Sequence, residues 1–176
     1  MRRVTAPAES IATIGAGTST LISELLAAGY RSITAVDISQ TALDRLGANL
    51  GDDSAHVQFI RSDARSVLFP TAIDVWHDRA TFHFLTDGAD QAAYARTAAA
   101  ALRPEGHLVI ATFAERGPEQ CSGLPVARHS AGSLESVFGS GFDLIESFER
   151  EHLTPWGATQ WFTHAVMRSH SRSEIE

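Results

Sequence analysis

Short β-rich apolar runs alternate with helix-patterned segments from Ile11 onward. Such alternation is the signature of βαβ units winding a largely parallel sheet between layers of helices. The first run, Ile11 to Ile14, breaks at Gly15-Ala16-Gly17 and passes into a helix where Leu21, Ile22, Leu25 and Leu26 share a face and Gly29 supplies a stop. Ile33 to Ile38 reads as a second strand. Ser39 is placed to cap a helix carrying Leu43, Leu46 and Leu50, ended by Gly51. Val57 to Ile60 is a third strand, and Ile73 to Trp76, reached through a loop around Pro70, a fourth. Alanine content predicts a helix over Ala89 to Leu102, followed by a turn at Pro104 and Gly106 and a fifth strand, His107 to Phe113. A long loop through Gly117, Pro118, Gly123 and Pro125 leads to a short helix near Ser133 to Phe138. The pattern then changes. Phe142 to His152 and Thr159 to Met167, joined by Thr154-Pro155-Trp156-Gly157, are two extended runs with no helix between them, a hairpin that finishes the sheet antiparallel.

Composition narrows the class. A chain of 176 residues, 44% hydrophobic and 20% charged, reads as one globular domain with a core that needs no disulfide or structural metal. The domain is expected over residues 10–168, with loose ends at 1–9 and 169–176. One cysteine, no apolar run long enough to span a membrane and no signal-like amino terminus place it in the cytoplasm, away from membranes. The formal charge is −7, and its fourteen basic residues, all arginine, are scattered along the chain, which argues against a nucleic-acid partner.

Chemistry gathers at the strand ends. Gly15-Ala16-Gly17 lets a ligand approach backbone at the start of a helix, and Asp37, twenty residues beyond Gly17 at the end of the second strand, can accept hydrogen bonds from two ribose hydroxyls. Asp63, at the end of the third strand, can accept from the exocyclic amine of an adenine. Three strand ends thus point at one nucleoside, though a glycine turn can be simple tight packing and an Asp after a strand a helix cap. Two reaction classes share this geometry: a nicotinamide-dependent oxidoreductase and an S-adenosylmethionine-dependent methyltransferase.

The segments Ile14-Gly15-Ala16-Gly17, Ala35-Val36-Asp37-Ile38, Ser62-Asp63-Ala64 and Leu102-Arg103-Pro104-Glu105-Gly106-His107, with the terminal hairpin, resemble the class I S-adenosylmethionine-dependent methyltransferases over about residues 10–168. Trp76-His77-Asp78-Arg79-Ala80, Phe82-His83-Phe84-Leu85-Thr86 and Cys121-Ser122-Gly123-Leu124-Pro125 look like a bacterial subgroup of unassigned substrate, similar in outline to eukaryotic protein-lysine methyltransferases. The resemblance implies an α/β, Rossmann-like, doubly wound sheet of seven strands, mostly parallel with an antiparallel carboxy-terminal hairpin. It implies S-adenosylmethionine as cofactor and a small molecule or protein as methyl acceptor. Gly15, Ala16 and Gly17 would pass under the methionine and ribose, and Asp37 would hold the ribose hydroxyls. Ile38 and Ala64 would sandwich the adenine, Asp63 would bond its amine, and backbone at His77 would meet the methionine end. Members of this family usually carry an acid where this chain has Thr13, and several tens of residues where ten precede Ile11. The expected consequences are a cofactor ammonium short of one charge-assisted hydrogen bond, about 1.5–3 kcal/mol, and either an internal start or an unusually open cleft.

His77, Asp78 and Arg79 are expected after the fourth strand, beside the transferable methyl. There Asp78 is the candidate base for an acceptor that must lose a proton, with His77 second, and pairing of Asp78 with Arg79 is the structural alternative. No metal is expected, since His77, Asp78 and His83 lack a completing Cys or Glu. His83 reads as packed between aromatics, Cys121 as a structural thiol, and Trp156 and Trp161 as packing residues. The oxidoreductase alternative is disfavoured because a chain without lysine has no Tyr-x-x-x-Lys pair and because the hairpin replaces further βα units. A third reading, a degenerate methyltransferase fold without activity, draws on Thr13 and the short amino-terminal stretch.

Overall fold

The computed structural model describes residues 5–17, 19–154 and 157–170. The elements run β1 (Ile11–Ile14), α1 (Leu21–Ala27), β2 (Ile33–Asp37), α2 (Gln40–Leu50), β3 (Val57–Arg61), β4 (Ile73–Arg79), α3 (Gly88–Ala101), β5 (Leu102–Phe113), β6 (Gln120–Cys121), β7 (Leu124–Pro125), α4 (Ala131–Phe138), β8 (Phe142–Leu153) and β9 (Thr159–Ser169). Seven strands form one sheet in the order β3-β2-β1-β4-β5-β9-β8, parallel through β5 and antiparallel across β9 and β8. This is the architecture expected from the sequence.

Each strand follows from its side chains. β1 lies between β2 and β4 with all four residues buried, Thr13 the one polar member of an otherwise apolar run. α1 and α2 bury Ile22, Leu25, Leu26, Leu43 and Leu46 against Ile11, Ile33, Ala35 and Val75 on one face of the sheet. α3 and α4 supply Tyr94, Ala98, Leu134 and Phe138 to the core on the other face, with Trp76, Leu108, Ile110 and Met167. Side-chain caps set three helix starts: Ser39 accepts from the Ala42 amide, Asp87 from those of Ala89 and Asp90, and Ser130 from that of Ser133.

The structure moves several boundaries. β4 continues through His77, Asp78 and Arg79, which pair in register with Val109, Ile110 and Ala111 of β5. Those three polar residues are therefore strand, not the loop that follows it. β5 begins directly where α3 ends, and Pro104 and Gly106 make an irregularity inside it: the register passes from Ile73↔Leu102 to Val75↔His107, with Glu105 at φ 62°. β6 and β7 pair as a small ribbon within the long loop. Of the expected loose ends, Thr5 accepts the Tyr30 hydroxyl through its carbonyl at 3.2 Å, Glu9 pairs with Arg103 at 3.0 Å, and Ser169 belongs to β9. Pro155 and Trp156 of the hairpin turn lie outside the described residues. Among the described residues no helix is long and apolar enough to cross a membrane.

Candidate functional site

The carboxyl ends of β1, β2, β3 and β4 converge on the glycine turn. Gly15 and Gly17 take φ of 61° and 51°, a region that costs side-chain-bearing residues strain. At Gly15 a Cβ would run into the Thr81 hydroxyl. That hydroxyl donates to the Ile14 carbonyl at 3.2 Å, so the segment after β4 is fastened directly to the turn after β1.

Asp37 makes a second fastening. Its Oδ2 accepts the Gly17 amide at 2.9 Å and its Oδ1 the Ser39 amide at 2.8 Å. A carboxylate offers about four lone-pair directions, so acceptor capacity remains for ligand hydroxyls. Asp63 carries a partner that sequence reasoning missed. Arg65 binds both of its oxygens, at 2.5 Å from Nη2 to Oδ2, donates its own amide to Oδ1 at 2.8 Å, and reaches Asp90 at 2.6 Å. The Arg65 hydrogen bonds hold the Asp63 carboxyl below its ordinary range. The signal was available two positions downstream, in the Asp-Ala-Arg spacing.

These residues line a cavity of about 540 Å³. Asp37, Ile38, Asp63 and Ala64 stand on one side of it, and Thr81, Phe84 and Leu85 on the other. Ile38 is 68% exposed, an apolar side chain left uncovered at the mouth. A second cavity, of about 460 Å³, holds Thr13, Ser19, Thr20, Glu24, His77 and Arg79. Ile14 and Gly15 line both. The sequence-selected residues Gly15, Ala16, Asp37, Ile38, Asp63, Ala64 and His77 are thus gathered around two joined hollows, and Gly17 is tied to them through Asp37.

Asp78 departs from its expected place. Its side chain projects to the α3 side of the sheet with no exposed surface, accepting the Tyr94 hydroxyl at 2.5 Å, the Thr81 amide at 3.0 Å and the Phe82 amide at 3.1 Å. Burial pushes its pKa up to about 6, against the pull of those donors. Trp76 Nε1 donates to Tyr94 Oη at 2.8 Å, completing a chain of three side chains. A carboxylate so enclosed cannot touch an acceptor, so the expectation of a base at Asp78 is corrected to a residue that anchors the Thr81–Phe82 backbone. Pairing of Asp78 with Arg79 is also absent among the described residues; the Arg79 guanidinium lies 5.6 Å from the Phe162 ring centroid.

His77 faces the smaller cavity, and burial first, then the Arg79 and His164 charges, lower its pKa to about 4, so it is neutral near pH 7. His83 is fully buried, its ring centroid 4.6 Å from those of Phe84 and Phe113, as its flanking aromatics suggested. Cys121 packs beside Ala111, Phe113 and Phe162, and Trp161 lies under the Arg116 guanidinium at 3.5 Å. Trp156 falls outside the described residues. Among the described residues no group of three or more His, Cys, Asp or Glu side chains is placed to hold a metal ion.

A family model described as a methyltransferase domain matches residues 11–106. The chain is 32% identical over 66 residues to the eEF1A lysine and N-terminal methyltransferase of Mus musculus, a match over 38% of this chain that spans about a tenth, 10%, of that protein's length. Its fold is shared with a solved S-adenosylmethionine-dependent methyltransferase from Methanosarcina mazei, at a TM-score of 0.81 and 15% identity, covering 97% of each chain. It is also shared with the Burkholderia thailandensis 1,6-didemethyltoxoflavin N1-methyltransferase, solved with 1,6-didemethyltoxoflavin and S-adenosylhomocysteine. There the TM-score is 0.72 and the identity 20%, over 93% of this chain and 72% of that one.

Proposed function

This chain belongs to the family of methyltransferase domains, and on that premise we propose that it transfers a methyl group from S-adenosylmethionine to an acceptor held beside Arg79. The observation that carries the reading is the pair of cavities joined at Ile14 and Gly15, one flanked by Asp37 and Asp63 and the other by Thr13 and His77. Such a double hollow fits a ligand with a nucleoside at one end and a short amino acid at the other, and the glycine turn leaves no side chain at the joint. Asp37 holds the ribose hydroxyls while keeping Gly17 and Ser39 in place. Ile38 and Ala64 flank the adenine. Asp63 serves the adenine amine with Arg65 fixing its orientation, and the backbone at His77 meets the methionine end.

The cofactor supplies an electrophilic methyl on a sulfonium. The protein's part is alignment and exclusion of water, for which effective molarities are worth about 7–11 kcal/mol. Asp78 is a positioning residue in this scheme, since its hydrogen-bond partners among the described residues are the Tyr94 hydroxyl and the Thr81 and Phe82 amides. A small molecule and a protein side chain both remain acceptor classes, the second favoured by the likeness to a methyltransferase named for a lysine and an amino terminus. The single half-buried Cys121 supports a cytoplasmic setting.

Calorimetric titration of the full chain with S-adenosylhomocysteine and with NAD tests the reading. Binding of the first and none of the second is expected, because Thr13 and His77 border a space suited to an amino acid and the sheet ends in a hairpin. Tight NAD binding without a response to S-adenosylhomocysteine would overturn it in favour of an oxidoreductase.

A further inference from the structure

β8 ends the sheet with β9 as its one neighbour, and every residue over 145–151 is exposed. Successive residues of a strand face opposite sides, so along that stretch neither face of the sheet is covered. Of the six large apolar side chains that stand exposed among the described residues, three, Ile145, Phe148 and Leu153, belong to this strand. Among the described residues no strand takes up the backbone N–H and C=O groups along its outer edge. An edge this long and this bare pairs with another extended segment unless its side chains forbid it.

Charge decides which segment that is. Glu146, Glu149 and Glu151 repel an acidic strand in most registers, and β8 meets its own copy in one register that avoids the repulsion. When two copies of a strand pair antiparallel about a two-fold axis, opposite residues must project to the same face, so the axis passes through a residue that faces itself. An axis at Glu146, Glu149 or Arg150 sets like charges against each other. An axis at Ser147 runs the ladder into the bulge at Ile145 directly beyond the first pair. An axis at Phe148 keeps residues 146–150 clear of the bulge. Phe148 then faces Phe148, Ser147 faces Glu149, and each Glu146 faces Arg150 of the other copy. Glu149 is already neutralised within its own chain by Arg116 at 2.7 Å. An aromatic pair flanked by two opposite-charge pairs is a favourable cross-strand set.

We infer that β8 is a homodimer interface, along which two copies of this chain pair antiparallel over residues 146–150 about a two-fold axis at Phe148. The two seven-stranded sheets become one continuous sheet. The charges that guard the edge against other strands are the ones that fix this register. Neither Glu146 nor Arg150 lines the cavities at the carboxyl ends of β1 to β4, so the interface is separable from the cofactor site.

Sedimentation of the full chain from micromolar to submillimolar concentration tests the inference. A concentration-dependent dimer is expected. Arg150→Glu and Glu146→Arg, each of which sets like charges opposite one another twice, are expected to weaken it by at least about tenfold. The double variant, with the two charges exchanged, is expected to recover the dimer to within about threefold. Mixing the two single variants is expected to yield a heterodimer, because every carboxylate then faces an arginine; a chain that had merely misfolded would not regain partnership this way. Affinity of each single variant for S-adenosylhomocysteine, read by calorimetry, is expected to change by less than about twofold. A wild type that stays monomeric over the whole range would overturn the inference. So would a dimer indifferent to both single variants, or one that neither the exchange nor the mixture restores.

Discussion

Tyr94 donates its hydroxyl to Asp78 Oδ2 at 2.5 Å while itself accepting the Trp76 indole N–H at 2.8 Å. The same carboxylate receives the amides of Thr81 and Phe82, so one buried acid joins α3 to the segment that floors the cofactor cleft.

Asp78 makes stability depend on pH in a known direction. Its pKa in the folded protein, raised by burial to about 6, lies above the ordinary 3.8, so the native state binds more protons than the unfolded state between those values. The stabilisation is fully present below the ordinary value and is lost as pH rises through about 6, by about 2–3 kcal/mol in total. Asp78→Asn has no such titration. Urea unfolding of both proteins at about pH 4 and about pH 7 should therefore show the wild type losing ground to the variant at the higher pH. A difference that stays constant would mean that the carboxyl titrates normally.

Gly15→Ala should destabilise the fold by two separable costs, the positive φ and the collision with the Thr81 hydroxyl. Adding Thr81→Ala removes the hydroxyl and methyl but keeps the Cβ, 2.9 Å from the new side chain, so it relieves most of the second cost and leaves the first, about 1–2 kcal/mol. Denaturant unfolding of the two single variants and the double variant gives the coupling between them. Simple additivity would show that the two segments do not touch.

Asp37→Asn keeps an acceptor for the Gly17 amide but removes the charge. Because the Ser39 amide then loses its acceptor, the ligand-free melting temperature is expected to fall modestly, and affinity for S-adenosylhomocysteine to fall by about 1.5–3 kcal/mol. If melting falls and affinity does not, Asp37 is a fastening for the loop alone.

Thr13 is 3% exposed and lines the smaller cavity, its hydroxyl 3.4 Å from the Thr34 carbonyl. Thr13→Asp buries a carboxylate, which should lower the melting temperature without ligand. It should also strengthen S-adenosylmethionine binding by supplying a charge to the ammonium, a gain that shrinks in high salt where solvent reaches the site. Calorimetry at two salt concentrations measures both, and unchanged affinity would place the ammonium elsewhere.

Local patterns carried most of this molecule. Ile11 to Ile14, Ile33 to Ile38 and Thr159 to Met167 are legible because each buries an apolar set, and Gly15, Gly17 and Asp37 because turn geometry restricts the residue types that serve there; Phe142 to His152, buried only at Phe142, is legible as the partner run of a hairpin. What escaped depends on partners distant in the chain. His77, Asp78 and Arg79 look too polar for a strand, yet β1 and β5 on either side hold them in the ladder and Tyr94, sixteen residues on, satisfies Asp78. Pro104 and Gly106 spell a turn, and the ladder on β4 absorbs them as a bulge instead.

The order of the hairpin in the sheet has a consequence for how the chain is made. β9 lies between β5 and β8, so β8 leaves the ribosome with no neighbour to pair with, and the outer edge of β5 stays bare until β9 follows. During that interval the seats of Ala165 and Met167 beside Ile110 and Leu108 are open to any other extended segment. Completion of the sheet therefore waits on β9 and is a single step. A pause in translation between Leu153 and Thr159 would prolong the stage at which the nascent protein is most prone to mispairing.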